Sequence, residues 1–503
     1  MDLIKILYLK RKLHLIVIGL AFFIFAIRLY DGPLRTYDEC YYAGQAREIL
    51  VTGDPFTMHH ALRNNYENDP VYLWSMAAMF KLFGASEFCA RFPSAVYGAL
   101  SVVTVFFTAK LIGSYIFALS AAVILATTWE FIRFARYAHL DVCLAFFTCA
   151  AVYFFFRHEL TRVSKPSKSF YYAVLGGLCA GLAILSKNIL GAFCVAAMAV
   201  YYILRRDFKA LFSPGFIAAA FCAAALPGTW YIYQYLVNGP VFFYVHFGYI
   251  LFRRAVDNPV EAAPAYQYLK IIALTYVPWL VLLVPGIYLI FKDYLAGAGL
   301  KKSPVRPVIL YSAVFVTLYI GVMSLSSAKK GWYIMPVYPQ FALICAFALE
   351  RYFASGGTAR AAARKNYLKF VSGAVLFMFF CAFALGVFPV KLYKTDNAEY
   401  KNEIAKFAAA FPLKPYDKTL RFQPVEFDCD YFDYQLPLLF YTGVIPEQSV
   451  KAAKLKISPA DAGTIFFCER KKLGRILSES GTAGESLETL LSTDNFVIFR
   501  LKP

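Results

Sequence analysis

A chain of 503 residues that is 60% hydrophobic and 18% aromatic, with a mean hydropathy of +0.54, is too apolar for a water-soluble fold and reads as a polytopic membrane protein. Its net charge of +19 does not mark a nucleic-acid binder, because the basic residues are scattered between apolar runs rather than gathered into one domain. The eleven cysteines include no C-x-x-C pair and no Cys/His cluster with zinc spacing. Cys143, Cys149, Cys179, Cys194, Cys222, Cys345 and Cys381 fall in apolar runs, where cysteine behaves as a small hydrophobe.

Lys5, Lys10, Arg11 and Lys12 precede the first apolar run, and no small-residue cleavage site follows, so the run reads as a retained signal anchor with a cytoplasmic N-terminus. A span needs about 20 apolar residues. About eleven segments qualify, roughly 13–30, 92–112, 115–132, 140–156, 170–186, 189–204, 212–230, 269–291, 307–325, 331–349 and 370–389. The expected fold is therefore an all-α polytopic membrane domain over 1–389, followed by a soluble α/β domain over 390–503. An odd count places the C-terminal domain outside the cytoplasm, in a multi-pass plasma (inner) membrane protein.

The loops that this topology makes cytoplasmic carry Arg157, Arg162, Lys165 and Lys168; Arg205, Arg206 and Lys209; Lys292, Lys301, Lys302 and Arg306; and Arg351, Arg360, Arg364, Lys365 and Lys369. All agree with the positive-inside rule. Arg133, Arg136, Lys187, Arg253, Arg254, Lys329 and Lys330 fall instead at extracytoplasmic ends of spans, where orientation does not call for them.

The first outer loop, 31–91, contains Thr36-Tyr37-Asp38-Glu39-Cys40-Tyr41-Tyr42-Ala43 and Tyr66-Glu67-Asn68-Asp69-Pro70-Val71-Tyr72-Leu73-Trp74. Asp38, Glu39, Glu67 and Asp69 thus sit just outside the bilayer, and Val71 to Phe83 suits an amphipathic helix along the interface. The loop from roughly Tyr231 to Gln267 holds Asn238-Gly239-Pro240, His246-Phe247-Gly248-Tyr249 and Arg253-Arg254; loops of this length are more often functional than incidental. In the tail, Thr419–Phe422, Thr464–Cys468 and Phe496–Leu501 read as strands, and Glu399–Phe411, Leu436–Tyr441, Lys471–Leu477 and Glu485–Leu491 as helical. Cys429 and Cys468 are candidates for a disulfide in an oxidising compartment.

Each charged group also has a plain structural reading. Asp38-Glu39 could cap an interfacial helix, Asp141 could pair with Arg133 or Arg136, His139 could be an interfacial histidine, and any single lysine could snorkel. What argues for chemistry is acids and several bases together on one outer face. The order of these pieces resembles the GT-C class of polyprenyl-phosphate-sugar glycosyltransferases, particularly the lipid A aminoarabinose transferases and protein O-mannosyltransferases. The resemblance lies in the Asp38-Glu39 pair that opens the first outer loop, Ala135-Arg136-Tyr137-Ala138-His139-Leu140-Asp141, Leu185-Ser186-Lys187-Asn188, and Lys329-Lys330 before Trp332-Tyr333-Ile334-Met335-Pro336.

The resemblance implies an inverting transfer of sugar from a polyprenyl-phosphate carrier to a lipid or glycolipid, less readily to a protein, outside the cytoplasm. Asp38 is then the candidate base, with Glu39 and Asp141 as further catalytic carboxylates. Tyr37, Arg63, Tyr66, Glu67, Asn68, Arg136, Lys187, His246, Arg253, Arg254, Lys329, Lys330 and Tyr333 are the candidate substrate-binding residues. Where aminoarabinose transferases read Glu-Lys-Pro-Pro, this chain reads Glu67-Asn68-Asp69-Pro70. Either Arg63, Lys187 or Arg254 replaces that lysine or the donor and its pose differ, and Glu67, Asp69 and His246 could hold a divalent metal. The rival readings are a transporter or flippase for anionic lipids or sugars and a non-catalytic membrane subunit.

Overall fold

The computed structural model describes residues 12–35, 37–253, 256, 262–295, 306–355, 360–387, 422–425, 439–441, 464–480, 487–492 and 496–501. The apolar runs are helical, as they must be where the bilayer offers backbone groups no water. Leu13–Ala26 is followed by Glu87–Ile112, Tyr115–Ala126, Trp129–Ala135, Leu140–Thr161, Pro166–Lys187, Phe193–Leu204, Pro214–Asn238, Leu280–Leu295, Arg306–Leu325, Val337–Ser355 and Arg360–Val387.

Among the described residues six helical stretches are long and apolar enough to cross a membrane, or seven if the pair Tyr115–Ala126 and Trp129–Ala135, bent by 65°, is one span. Not every expected segment reaches that length as one helix: Leu13–Ala26 is shorter, and other apolar runs are broken. Gln267–Thr275 and Leu280–Leu295 divide one run around Pro278, and the 3-10 turn Gly331–Ile334 precedes Val337–Ser355 in another. Pro166–Leu204 counts as a single stretch, yet it is no straight rod. Asn188 stands at φ +44°, and a Cβ on Gly191 would come within 2.2 Å of the Ala183 and Ile184 backbone, so the chain folds back there and needs glycine.

The chain divides into two compact units. The first comprises Met1–Leu29, Asn65–Ser75 and Arg91–Val390. In it, Pro166–Lys187 packs against both Leu140–Thr161 and Pro214–Asn238. Small residues allow that approach: a Cβ on Gly177 would meet Ala219 O at 2.3 Å. Cys143, Cys149, Cys194 and Cys345 are buried, unpaired and part of this core.

The second unit comprises Tyr30–Asn64, Met76–Ala90 and Lys391–Pro503. Its helix Asp38–Thr52 carries two acids in the first turn, which suits a helix N-terminus, and stops at Gly53 in the left-handed conformation. A hairpin follows, His59 pairing with Asn64 and His60 with Arg63. Its two loop residues, Ala61 and Leu62, have φ of +53° and +59°, as a two-residue hairpin turn demands. Neither is the glycine or asparagine that adopts this conformation cheaply. The Glu48 carboxylate holds the turn, accepting from the Ala61 and Leu62 amides at 2.9 Å each. Pro70–Phe83 is a helix with proline at its first position, where the missing N–H costs nothing.

The tail contains a four-stranded sheet in the order Phe422–Val425, Ile465–Glu469, Phe496–Leu501, Leu487–Ser492, the first pair parallel and the others antiparallel. Helix Leu473–Ser480 contributes the buried Ile476 to a core with Phe466, Cys468, Val497 and Phe499. Of the expected strand Thr419–Phe422 only Phe422 is described, and it opens the strand Phe422–Val425; in the segment expected to be helical at Glu485–Leu491, the described residues from Leu487 on form a strand. There the cross-strand ladder to Phe496–Leu501 overrides the local preference. The proposed helix Glu399–Phe411 and Cys429 lie outside the described residues, so the pairing suggested for Cys468 does too.

Candidate active site

In the first unit, charged side chains converge from three helix ends and one loop. Asp141 opens Leu140–Thr161, and Lys187 closes Pro166–Lys187. The Lys187 ammonium donates to both Asp141 oxygens at 2.6 Å. His139 Nδ1 lies 2.8 Å from Asp141 Oδ2. Asp141 is fully buried, so this pairing answers the cost of burying its charge.

The partners expected for Asp141, Arg133 and Arg136, do other work. Arg133 pairs with Glu130, one helical turn away, and Arg136 donates to the carbonyl of Ile24 at 2.5 Å, near the C-terminal end of Leu13–Ala26. The spacing along one helix had suggested these arginines, whereas the structure recruits a lysine from the next helix.

Tyr333 lies beside this pair, with the Lys187 ammonium 4.6 Å from its ring centre. Of the two lysines before it, Lys330 stands 5.9 Å from the Trp332 ring centre. Lys329 is buried, and its ammonium donates to the carbonyls of Ala263, at 2.7 Å, and Ser326. Lys329 therefore ties two backbone segments together.

Asp69, 2% exposed, accepts from the Asn188 amide at 2.6 Å and the Tyr231 hydroxyl at 3.3 Å. His246 Nε2 is 3.7 Å from it. Burial pushes the Asp69 carboxyl up from the usual carboxylate range, opposed by the neighbouring His246, the Asn188 amide and the Tyr231 hydroxyl. His246 is fully buried and its Nδ1 lies 2.8 Å from the Tyr66 carbonyl. Tyr66 donates to Asn238 at 3.2 Å. Glu67, by contrast, is exposed. Among the described residues no group of three or more His, Cys, Asp or Glu side chains could hold a metal ion. The set Glu67, Asp69 and His246 is thus not assembled as one, since Asp69 turns inward to Asn188 and Tyr231.

Asp38, Glu39 and Arg63 belong to the second unit. Asp38 is half-buried in the first turn of its helix and Arg63 is exposed. Glu39 is buried and accepts from the Arg35 amide at 2.9 Å, so it serves its own helix start. Tyr37 precedes that helix at φ +76° and is largely exposed. Asn68, in the first unit, is half-buried. Arg253 ends the π-helix Tyr244–Arg253, and Arg254 lies outside the described residues.

Sequence reasoning missed Asn188 and Tyr231, which receive Asp69, and Glu48, which clamps the hairpin. An Asn directly after a helix-ending Lys is a recognised stop signal, and it could have marked the turn at Asn188. Nothing in the sequence points to Tyr231.

Helices of this arrangement define a multi-pass membrane protein of the GT-C fold, with a buried acid–base cluster at helix ends. Residues 15–247 match the family described as dolichyl-phosphate-mannose-protein mannosyltransferase. An uncharacterised protein of Aquifex aeolicus is 26% identical over 381 residues, 76% of this chain and 70% of its own length. The undecaprenyl phosphate-alpha-4-amino-4-deoxy-L-arabinose arabinosyl transferase of Aeromonas salmonicida is 28% identical over 64% of this chain, and the match spans 57% of that transferase. The crystal structure of ArnT from Cupriavidus metallidurans bound to undecaprenyl phosphate superposes with a TM-score of 0.73 at 16% identity, covering 96% of this chain and 97% of that one. In sequence and in fold, the chain resembles the polyprenyl-phosphate-sugar glycosyltransferases.

Proposed function

We propose that this protein is an inverting glycosyltransferase that moves a sugar from a polyprenyl-phosphate carrier to a lipid or glycolipid acceptor at the extracytoplasmic face. The observation that carries the reading is the Lys187 ammonium, set between Asp141 and the Tyr333 ring at the C-terminal end of its helix. An ammonium has three N–H donors; with two on Asp141, one remains for a phosphate oxygen. The Aeromonas salmonicida relative acts, by name, on an undecaprenyl phosphate-linked aminoarabinose, which supports a lipid-phosphate donor here.

In the proposed reaction the acceptor oxygen attacks the anomeric carbon as the bond to the phosphate oxygen breaks. The electron pair leaves with the polyprenyl phosphate, and Lys187 and Lys330 stabilise the charge that grows on it. Asp38 takes the acceptor's proton if the acceptor is a hydroxyl, and orients it if it is an ionised phosphate. Asn68 stands where aminoarabinose transferases carry a lysine, so the donor sugar is left open.

Transfer from synthetic polyprenyl-phosphate sugars by purified protein tests the proposal. Asp38→Asn keeps size and removes charge, and should lower turnover about 100-fold with little loss of folded protein. Near-normal turnover would remove Asp38 from the base role. A reporter at the C-terminus that reads as cytoplasmic would sink the lipid-donor mechanism.

A further inference from the structure

We infer that Asp69 is a positioning residue for the Lys187 ammonium, acting through the backbone of Asn188; this rests on the glycosyl-transfer reading. Lys187 is the last residue of its helix, and the next residue turns the chain at φ +44° and ψ −148°. Such a conformation is costly for any residue but glycine and persists only where its surroundings hold it. Asparagine often closes a turn with its own side chain, but the buried Asn188 Oδ1 makes no hydrogen bond. The anchor is Asp69 Oδ2, 2.6 Å from the Asn188 amide nitrogen.

Asp69 is itself fixed. Tyr231 donates to its other oxygen, His246 stands 3.7 Å away, and proline follows it at the first position of Pro70–Phe83. Below Asn188, Gly191 lies against the Ala183 and Ile184 backbone, so the turn is gripped from two sides. A carboxylate so enclosed is costly to bury without partners, and one of these partners, the Asn188 amide, directly follows Lys187. The four residues Glu67-Asn68-Asp69-Pro70 thereby link the first outer loop to the phosphate-facing lysine, 119 positions later at the anchored amide.

Asp69 touches no substrate in this account, so its loss must act through Lys187. Full-length protein in detergent would be assayed with a synthetic polyprenyl-phosphate sugar, per mole of monodisperse protein. Asp69→Ala should lower kcat/KM about 30-fold and shift kcat and KM in the same proportion as Lys187→Met does. In the Lys187→Met background the same change should cost less than about 2-fold, because the residue being positioned is gone. Asp69→Asn, which still accepts from Asn188, should recover most of the loss. If Asp69→Ala does not fold, Asp69→Glu replaces it: the added methylene displaces the anchored amide and should cost about 10-fold, again only when Lys187 is present. Effects that multiply with Lys187→Met, or wild-type kinetics in both Asp69→Ala and Asp69→Glu, overturn the inference alone. A wild type that neither transfers sugar nor binds undecaprenyl phosphate overturns the function, and the positioning role with it.

Discussion

Asp141 in the first unit and Glu48 in the second are both fully buried carboxylates, and each is held by a different kind of partner. Asp141 is matched by a formal charge, the Lys187 ammonium, at 2.6 Å. Glu48 is matched by two backbone amides of a strained turn, and burial raises its pKa to about 7 despite those amides and the neighbouring Arg47. The difference shows how a protein spends buried acids. A carboxylate paired with a cation fixes the position of that cation, whereas one held by amides serves to shape backbone.

The largest effect should come from breaking the charged pair. Lys187→Met leaves Asp141 buried with its ammonium partner gone and should destabilise the protein by about 3 kcal/mol, read as a lowered midpoint of thermal unfolding in detergent. Adding Asp141→Asn removes the stranded charge and should restore most of the midpoint, but not the transfer activity. If Lys187→Met leaves both midpoint and activity intact, the pair contributes neither stability nor chemistry.

The legibility of these two regions differed for the same reason that their chemistry does. Asp38, Asp141 and Lys187 were visible in the sequence because charges at the ends of apolar runs need a reason to be there. Lys187 was read as a cation for phosphate, but its pairing with Asp141 was not, since helix periodicity relates Asp141 only to Arg133 and Arg136 on its own chain segment. The break between 170–186 and 189–204 was legible and falls at the Asn188 turn, whereas apolarity does not reveal the 65° bend between Tyr115–Ala126 and Trp129–Ala135. Glu48 was invisible: an acid that accepts from Ala61 and Leu62 amides leaves no trace in a pattern of side chains, and Ala-Leu is no hairpin signal. The Leu487–Ser492 strand was misread as helix because its pairing with Phe496–Leu501 is a tertiary fact.

A second test concerns pH and singles out the amide-held acid. Burial pushes the Glu48 carboxyl up to about 7 in the folded protein, from the ordinary 4.5 of an exposed glutamate that it regains on unfolding. Between these values the native state binds more protons, so its stability falls as pH rises from about 4.5 to about 7, by about 3 kcal/mol. Glu48→Gln has no such proton to lose and should flatten that part of the stability curve, measured by thermal unfolding at constant ionic strength. An unchanged slope in the variant would assign the dependence to other groups.

The smallest expected effect isolates the strain that Glu48 compensates. Ala61 and Leu62 at φ +53° and +59° each carry a cost of about 1–2 kcal/mol that glycine would avoid. Against this, glycine has more freedom to lose on folding, about 0.5–1 kcal/mol, so Ala61→Gly should stabilise the protein by only about 0.5 kcal/mol. The instructive measurement is the same change in two backgrounds. With Glu48 present, the carboxylate already holds the turn, and the gain is small. In Glu48→Ala the amides lose their acceptor and the hairpin must pay the strain unaided, so Ala61→Gly should rescue a larger share of the lost stability. Equal gains in both backgrounds would mean that Glu48 does not support the turn, and the contrast between an acid that carries charge and an acid that shapes backbone would lose its second half.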